Sequence, residues 1–491
     1  MSQNPETLWH KAQTLYRHGW LDASREALED AFSLSTDDPM MAAQLADFLG
    51  RIAVRRNRFT TGSNWFRRAL QALDADASNP LTFAIQVRLN MAMAAEGHVD
   101  RAIRGMQHLE SYAAIQSPRQ QAIFQMNFAV MYMHNEFYPQ SLVRLQKAQV
   151  LSSSNESEDF GYALYTNLGV VLLELSDWNT ARDSLTQALR LTRGKGIHAL
   201  NELTHLAQLT GDEEAAYQYG TRAMSVMWGS LMTFEKGELA LLCEVLARLA
   251  GHWGASALRS QLIDTSQALY GQLGMWRQWR RLQEDLAPVR DIRSSPPAPF
   301  FEEVLRFTQL LQAMLAQDIL HPNLAAIADV RTQIAQALAQ QRGWTAKERE
   351  ALNLVCRLAD YGLTAIDYDI LHDPKKTVAA WRRYQKHPEL SIRLLESLSL
   401  PSEVTSAIRD HHEQPDGLGF PAGKPLEEIP PMALVFQVAH SYAWNVIQEG
   451  VKHSDALIQA KCQAGSILDP QWAAELEELF ETMDESLSES P

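Results

Sequence analysis

The stretch His411-His412-Glu413-Gln414-Pro415-Asp416-Gly417-Leu418-Gly419-Phe420-Pro421 combines two adjacent imidazoles, a carboxylate and a glycine-bent turn that ends in Phe-Pro. Packing alone does not ask for that combination. Imidazole is the side chain best suited to hold a transition metal near neutral pH. A glycine-rich turn beside such ligands lets another group approach them closely. The plainer alternative is a polar turn after a helix, and Asp416, Gly417 and Gly419 are turn formers under either reading.

Further imidazoles and one carboxylate lie upstream and downstream on helix-patterned sequence. Asp360 follows the apolar positions Leu352, Val355 and Leu358. A carboxylate there is costly to bury unpaired, so it needs a charged partner, either a metal or a nearby His. His387-Pro388 reads as a ligand or as a helix start with Pro at its first position. His411 and His412 point apart if both are helical, which makes one a ligand and the other a surface group. His440, one turn after Phe436 and one turn before Trp444, suits a ligand or a core histidine bonded to backbone. Four imidazoles and one carboxylate are enough for one transition metal: iron, manganese or zinc.

The order Leu358-Ala359-Asp360-Tyr361-Gly362-Leu363, Lys386-His387-Pro388, the His411 segment, Glu427-Glu428-Ile429-Pro430, Val438-Ala439-His440-Ser441-Tyr442 and Leu468-Asp469-Pro470 resembles the HD-GYP family. That family is a subgroup of the HD phosphohydrolases. The resemblance covers residues 300–480 and implies a helical domain with two or three metals that hydrolyses cyclic di-GMP. Departures accompany it. The first ligand histidine falls near Ala326-Ile327, the HD dyad is Ala359-Asp360, the phosphate-binding lysine is Leu363, and the last ligand aspartate is His440. The basic clamp expected between Ala443 and Val451 is missing. Losing one preorganised donor typically costs about 2.7–4 kcal/mol in a transition state. The expectation is therefore a domain that binds without turnover. The alternative is a metal-dependent cyclic di-GMP phosphodiesterase with a rearranged centre, with Asp360 the catalytic carboxylate if it is active. The resemblance also implies GGDEF-type cyclases as partners, through a loop of Asp416, Gly417, Gly419, Phe420 and Pro421.

The N-terminal half reads as paired helices at a recurring interval. Its clearest unit is Tyr165, Leu168-Gly169, Leu172, Ala181, Leu185 and Ala188, and the spacing recurs 35 positions later at Leu203, Ala207, Ala216 and Ala223. Small residues let two antiparallel helices approach while large ones fill the gap. The pattern resembles the tetratricopeptide repeat, whose stacked units leave a concave groove for a protein partner. The expected architecture is all-α: repeats over 1–225, connecting helices over 226–293, a linker at 294–299, the HD-GYP-like domain over 300–480 and an acidic tail over 481–491.

Bulk properties narrow the remaining classes. The 491-residue chain carries a net charge of −15, which argues against a generic nucleic-acid or anionic-membrane binder. No apolar run approaches the ~20 residues that span a bilayer. The three cysteines, Cys243, Cys356 and Cys462, form no CxxC pair. Their use fits reduced thiols, and a cytoplasmic location is expected.

Overall fold

The computed structural model describes residues 4–17, 21–35, 38–56, 58–73, 78–152, 157–228, 236–273, 275–284, 298–320, 323–366, 370–371 and 377–485. Among these residues the chain is all-α, with two isolated β-bridges, His412 with Phe420 and Ala464 with Leu468. Contacts divide it into two compact units, one drawn mainly from residues 24–228 and 236–249, the other from residues 250–491.

The first unit is a succession of helices: α1 (Pro5–Arg17), α2 (Leu21–Leu34), α3 (Pro39–Arg55), α4 (Phe59–Ala72), α5 (Pro80–Ala95), α6 (Val99–His108), α7 (Glu110–Ala113), α8 (Pro118–His134), α9 (Tyr138–Leu151), α10 (Glu158–Glu174), α11 (Trp178–Leu191), α12 (Ile197–Thr210), α13 (Glu213–Trp228) and α14 (Lys236–His252). Local chemistry sets several starts. Asp38 accepts from the N–H groups of Met40 and Met41. Ser117 and Gln120 form a reciprocal cap ahead of Pro118. Helices then pack on their chain neighbours, α3 with α4, α8 with α9, α10 with α11 and α12 with α13. In the α10–α11 pair Ala181, Leu185 and Ala188 are fully buried, and a Cβ on Gly169 would lie 2.4 Å from Leu185 Cγ. The small residue is thus what lets these two helices close on each other.

The second unit contains α15 (Ser256–Gln272), α16 (Trp276–Glu284), α17 (Ala298–Leu320), α18 (Leu324–Gln341) and α19 (Ala346–Leu358), then a 3-10 segment, Ala359–Ala365. There follow α20 (Val378–Tyr384), α21 (His387–Leu394), α22 (Ser402–Asp410), α23 (Pro431–Ile447), α24 (His453–Gln463) and α25 (Pro470–Glu485). Thr345 and Glu348 make a capping box at the start of α19. α18 lies against both α19 and α23, and α21 lies against the 3-10 segment.

Three expectations change in detail. Ala298 and Pro299 begin α17 rather than ending a linker, because Pro is tolerated in a helix's first turn. The rest of that linker, 294–297, and the inter-repeat insertion at 153–156 lie outside the described residues. Residues from Ala250 onward, including α15 and α16, group with the C-terminal unit rather than forming a separate connector. Residues 481–485 continue α25, and 486–491 lie outside the described residues.

Candidate metal centre

Asp360 enters from the 3-10 segment, His387 from the first residue of α21, and His411 and His412 from the end of α22. One glycine brings the first two together. A Cβ on Gly362 would sit 2.0 Å from the His387 carbonyl oxygen and 2.6 Å from Ser391 N, both backbone atoms. The Gly362 N–H donates to Ser391 Oγ at 2.7 Å, and that hydroxyl donates to the Ala359 carbonyl at 2.7 Å. α21 is thereby fastened across the segment that carries Asp360.

The two adjacent histidines converge instead of diverging. His411 is the C-terminal cap of α22, and His412 already belongs to an extended bridge with Phe420, whose N–H donates to the His412 carbonyl at 3.0 Å. The chain leaves the helix between them, so the helical rotation that would separate their side chains does not apply. Their ring centroids are 4.2 Å apart. Neither is a surface group.

Glu413, fully buried, closes the turn: its two carboxylate oxygens accept the N–H groups of Ala422 at 2.6 Å and Lys424 at 2.8 Å. Gly419 allows this close return, since a Cβ there would lie 2.3 Å from Gln414 N. Asp416 accepts the Leu418 N–H at 2.9 Å, as an Asx turn does. The Phe420–Pro421 bond is cis, and Phe420 stacks on His412 at 4.5 Å.

Tautomers follow from the backbone. His387 Nδ1 donates to the Tyr384 carbonyl at 2.8 Å, and His411 Nδ1 to the Ile408 carbonyl at 2.6 Å. Each neutral ring then presents a bare Nε2, and these two nitrogens lie 3.1 Å apart. Asp360 Oδ1 is 4.0 Å from the first and 3.8 Å from the second. His412 Nε2 is buried without a hydrogen-bond partner. Burial pushes the His411 imidazole down to about 3, and holds that of His412 well below its usual range, so both stay neutral. Three imidazole nitrogens and a carboxylate oxygen form a donor set of the kind that holds a transition-metal cation.

One ion fits. All four residues offer ligand atoms within 4.8 Å of one another. A tetrahedral ion with bonds of about 2.0–2.2 Å places its ligands roughly 3.3–3.6 Å apart, and the separations among Asp360, His387 and His411 of 3.1, 3.8 and 4.0 Å bracket that range. The hydrogen bonds from Nδ1 to carbonyls are the outer support that metal-binding imidazoles usually have.

His440 lies outside this group. Its Nδ1 faces the Nη1 of Arg331 at 2.9 Å, and its ring stacks on Phe436 at 5.4 Å. The core-histidine reading is corrected in its partner, which is a guanidinium and not the backbone. Burial and the adjacent Arg331 push His440 down to about 4.

Arg331, on α18, is fully buried. It donates through Nη1 to Asp360 Oδ2 at 2.7 Å and through Nη2 to the Cys356 carbonyl, and it lies 4.4 Å from the Phe436 ring centroid. Burial alone would raise the Asp360 carboxyl, but Arg331 overrides it and holds the group well below the usual carboxylate range. Sequence reasoning missed Arg331 because it sits one turn beyond Ile327, where a ligand histidine was sought. Its position within the buried stripe Leu324, Ile327, Ala328, Arg331, Ile334, Ala335 and Leu338 was the available signal. Ala359 and Leu363, at the positions of the HD histidine and the lysine, are both buried.

Residues 309–471, which carry these features, match the family described as HD domain. Among curated relatives, the chain is 26% identical over 195 residues to the 3'3'-cGAMP-specific phosphodiesterase 1 of Vibrio cholerae. It is 27% identical over 155 residues to the cyclic di-GMP phosphodiesterase response regulator RpfG of Xanthomonas campestris pv. campestris. These alignments cover 37% and 30% of this chain, and the chain spans 42% and 41% of the respective relatives. A solved structure, Bd1817, an HDG"Y"P protein from Bdellovibrio bacteriovorus, aligns at 15% identity with a TM-score of 0.29, covering 55% of this chain and 81% of that one.

Proposed function

We propose that this protein is a cytoplasmic signalling or scaffold protein of cyclic dinucleotide pathways. In this reading the helical pairs of the first unit are tetratricopeptide-like repeats that hold a protein partner. The HD domain acts by binding. The observation that supports the reading is the make-up of the centre: four ligand-type residues whose donor atoms lie within 4.8 Å of one another, with buried Ala359 and Leu363 at the histidine and lysine positions. A resident metal held by Asp360, His387, His411 and His412 would supply Lewis acidity and a bound water of lowered pKa. Cleaving a phosphodiester also needs positive charge on the non-bridging oxygens. Arg331 is fully buried and engaged by Asp360, so it is not offered to a phosphate.

The relatives named as phosphodiesterases of cyclic dinucleotides support the pathway. Asp416, Gly417, Gly419, Phe420 and Pro421 form the loop proposed to meet a GGDEF-type cyclase, and Leu418 at its tip is 81% exposed. The convergence of bare nitrogens favours one second reading, a one-metal phosphodiesterase with a rearranged centre. Elemental analysis of protein purified without chelator, with hydrolysis assays on cyclic di-GMP and 3'3'-cGAMP, separates the two. The expected result is at most one metal per chain and no turnover above that of a His411→Ala, His412→Ala variant. Turnover in the wild type that this variant loses overturns the binding reading.

A further inference from the structure

We propose that Arg331 is a built-in cation that occupies the place of a second metal ion and so limits the centre to one. The guanidinium sits where three lone-pair donors of ligand type converge: Asp360 Oδ2, His440 Nδ1 and the Cys356 carbonyl. A single nitrogen, Nη1, touches both the carboxylate at 2.7 Å and the imidazole at 2.9 Å. With Arg331 removed, those atoms would surround a void of guanidinium size lined by a carboxylate oxygen and an imidazole nitrogen, a set that suits a transition ion.

Asp360 ties this place to the ligand cluster. Its Oδ1 faces His387 and His411, while its Oδ2 is held by Arg331. A carboxylate disposed in this way would bridge two ions; here it bridges one ion site and one organic cation. Nη1 meets both Asp360 and His440, Nη2 meets the Cys356 carbonyl, and Nε, though buried, has no hydrogen-bond partner. The aromatic ring of Phe436 beneath the plane favours a cation at this spot.

The test uses the full chain and Mn2+ alone as probe, in the wild type and in Arg331→Ala, Arg331→Gln and Arg331→Lys. Manganese per chain is counted after equilibrium dialysis. Electron paramagnetic resonance distinguishes isolated Mn2+ from an exchange-coupled pair, and thermal unfolding is followed with and without the ion. The two neutral variants are expected to bind one more Mn2+ per chain than the wild type. Where the wild type binds one, the variants should give a coupled-pair signal, and added Mn2+ should raise their unfolding temperature more than that of the wild type. Arg331→Lys, which keeps a charge there, should retain wild-type stoichiometry.

The inference depends on the one-metal reading only for the coupled signal. A wild type that binds none, with variants that gain one, defeats that reading but sustains the role of Arg331. Equal stoichiometry in wild type and both neutral variants defeats the role of Arg331 alone. Two ions in the wild type, or neutral variants that stay unfolded at every Mn2+ concentration, overturn the proposal.

Discussion

Asp360→Asn isolates the buried ion pair beside the candidate metal centre. Arg331 is fully buried, and Asp360 is the carboxylate paired with it, at 2.7 Å. Neutralising one member of a buried pair leaves the other charge desolvated, which typically costs about 3–5 kcal/mol. Asparagine can still accept one hydrogen bond through its carbonyl, and hydrogen bonds to charged groups contribute about 1.5–3 kcal/mol. The cost should therefore fall near the lower bound, about 3 kcal/mol, and Asp360→Ala should lie near the upper. For a urea slope of about 3 kcal/mol/M, 3 kcal/mol lowers the unfolding midpoint by about 1 M. Asp360 is also a candidate metal ligand, so the comparison is made in chelator, where any loss of metal binding drops out. Far-UV circular dichroism follows the transition. A midpoint within about 0.2 M of wild type under those conditions would refute the account of Asp360 as the partner that keeps Arg331 buried.

Other perturbations test the remaining supports. Gly419→Ala forces a Cβ to within 2.3 Å of a backbone nitrogen, so the turn must open; we expect about 1–3 kcal/mol of destabilisation and weaker Mn2+ binding by calorimetry. Ser391→Ala removes the hydroxyl that links the Gly362 N–H and the Ala359 carbonyl, with an expected loss of about 1–3 kcal/mol in urea melts. In the first unit, burial would lower His198, but Glu238 at 3.1 Å and Glu202 at 3.6 Å raise it to about 10. A group raised in the folded state stabilises fully below its unfolded pKa of about 6.5, and that contribution fades as pH rises toward the folded value. Stability of the wild type should thus decline from pH 7 to 10 relative to His198→Gln; parallel pH profiles in the two proteins would contradict this.

Much of the fold was legible because its causes are local. The Thr345–Glu348 capping box can be seen in the residues themselves, and the spacing of Gly169, Ala181, Leu185 and Ala188 maps onto one interface between α10 and α11. The histidines were legible as a set because three of them sit in short motifs. Their geometry was not. Whether His411 and His412 converge depends on α22 ending at Asp410, and helix ends are the least certain feature of a periodic pattern.

Arg331 and His440 were harder still, since each depends on a neighbour from another helix. A rule available in the sequence would nevertheless have found the pair. α18 carries one arginine on an otherwise apolar and small-residue stripe, and Asp360 follows another apolar stripe on α19. Burying either charge alone is prohibitive, so two opposite charges on adjacent apolar faces imply each other. The departures from the family pattern concern single positions, each considered without its neighbours across helices. Charge balance across helices points to Arg331. The carboxylate expected to face a metal or a nearby His divides its two oxygens between a guanidinium and the imidazole cluster.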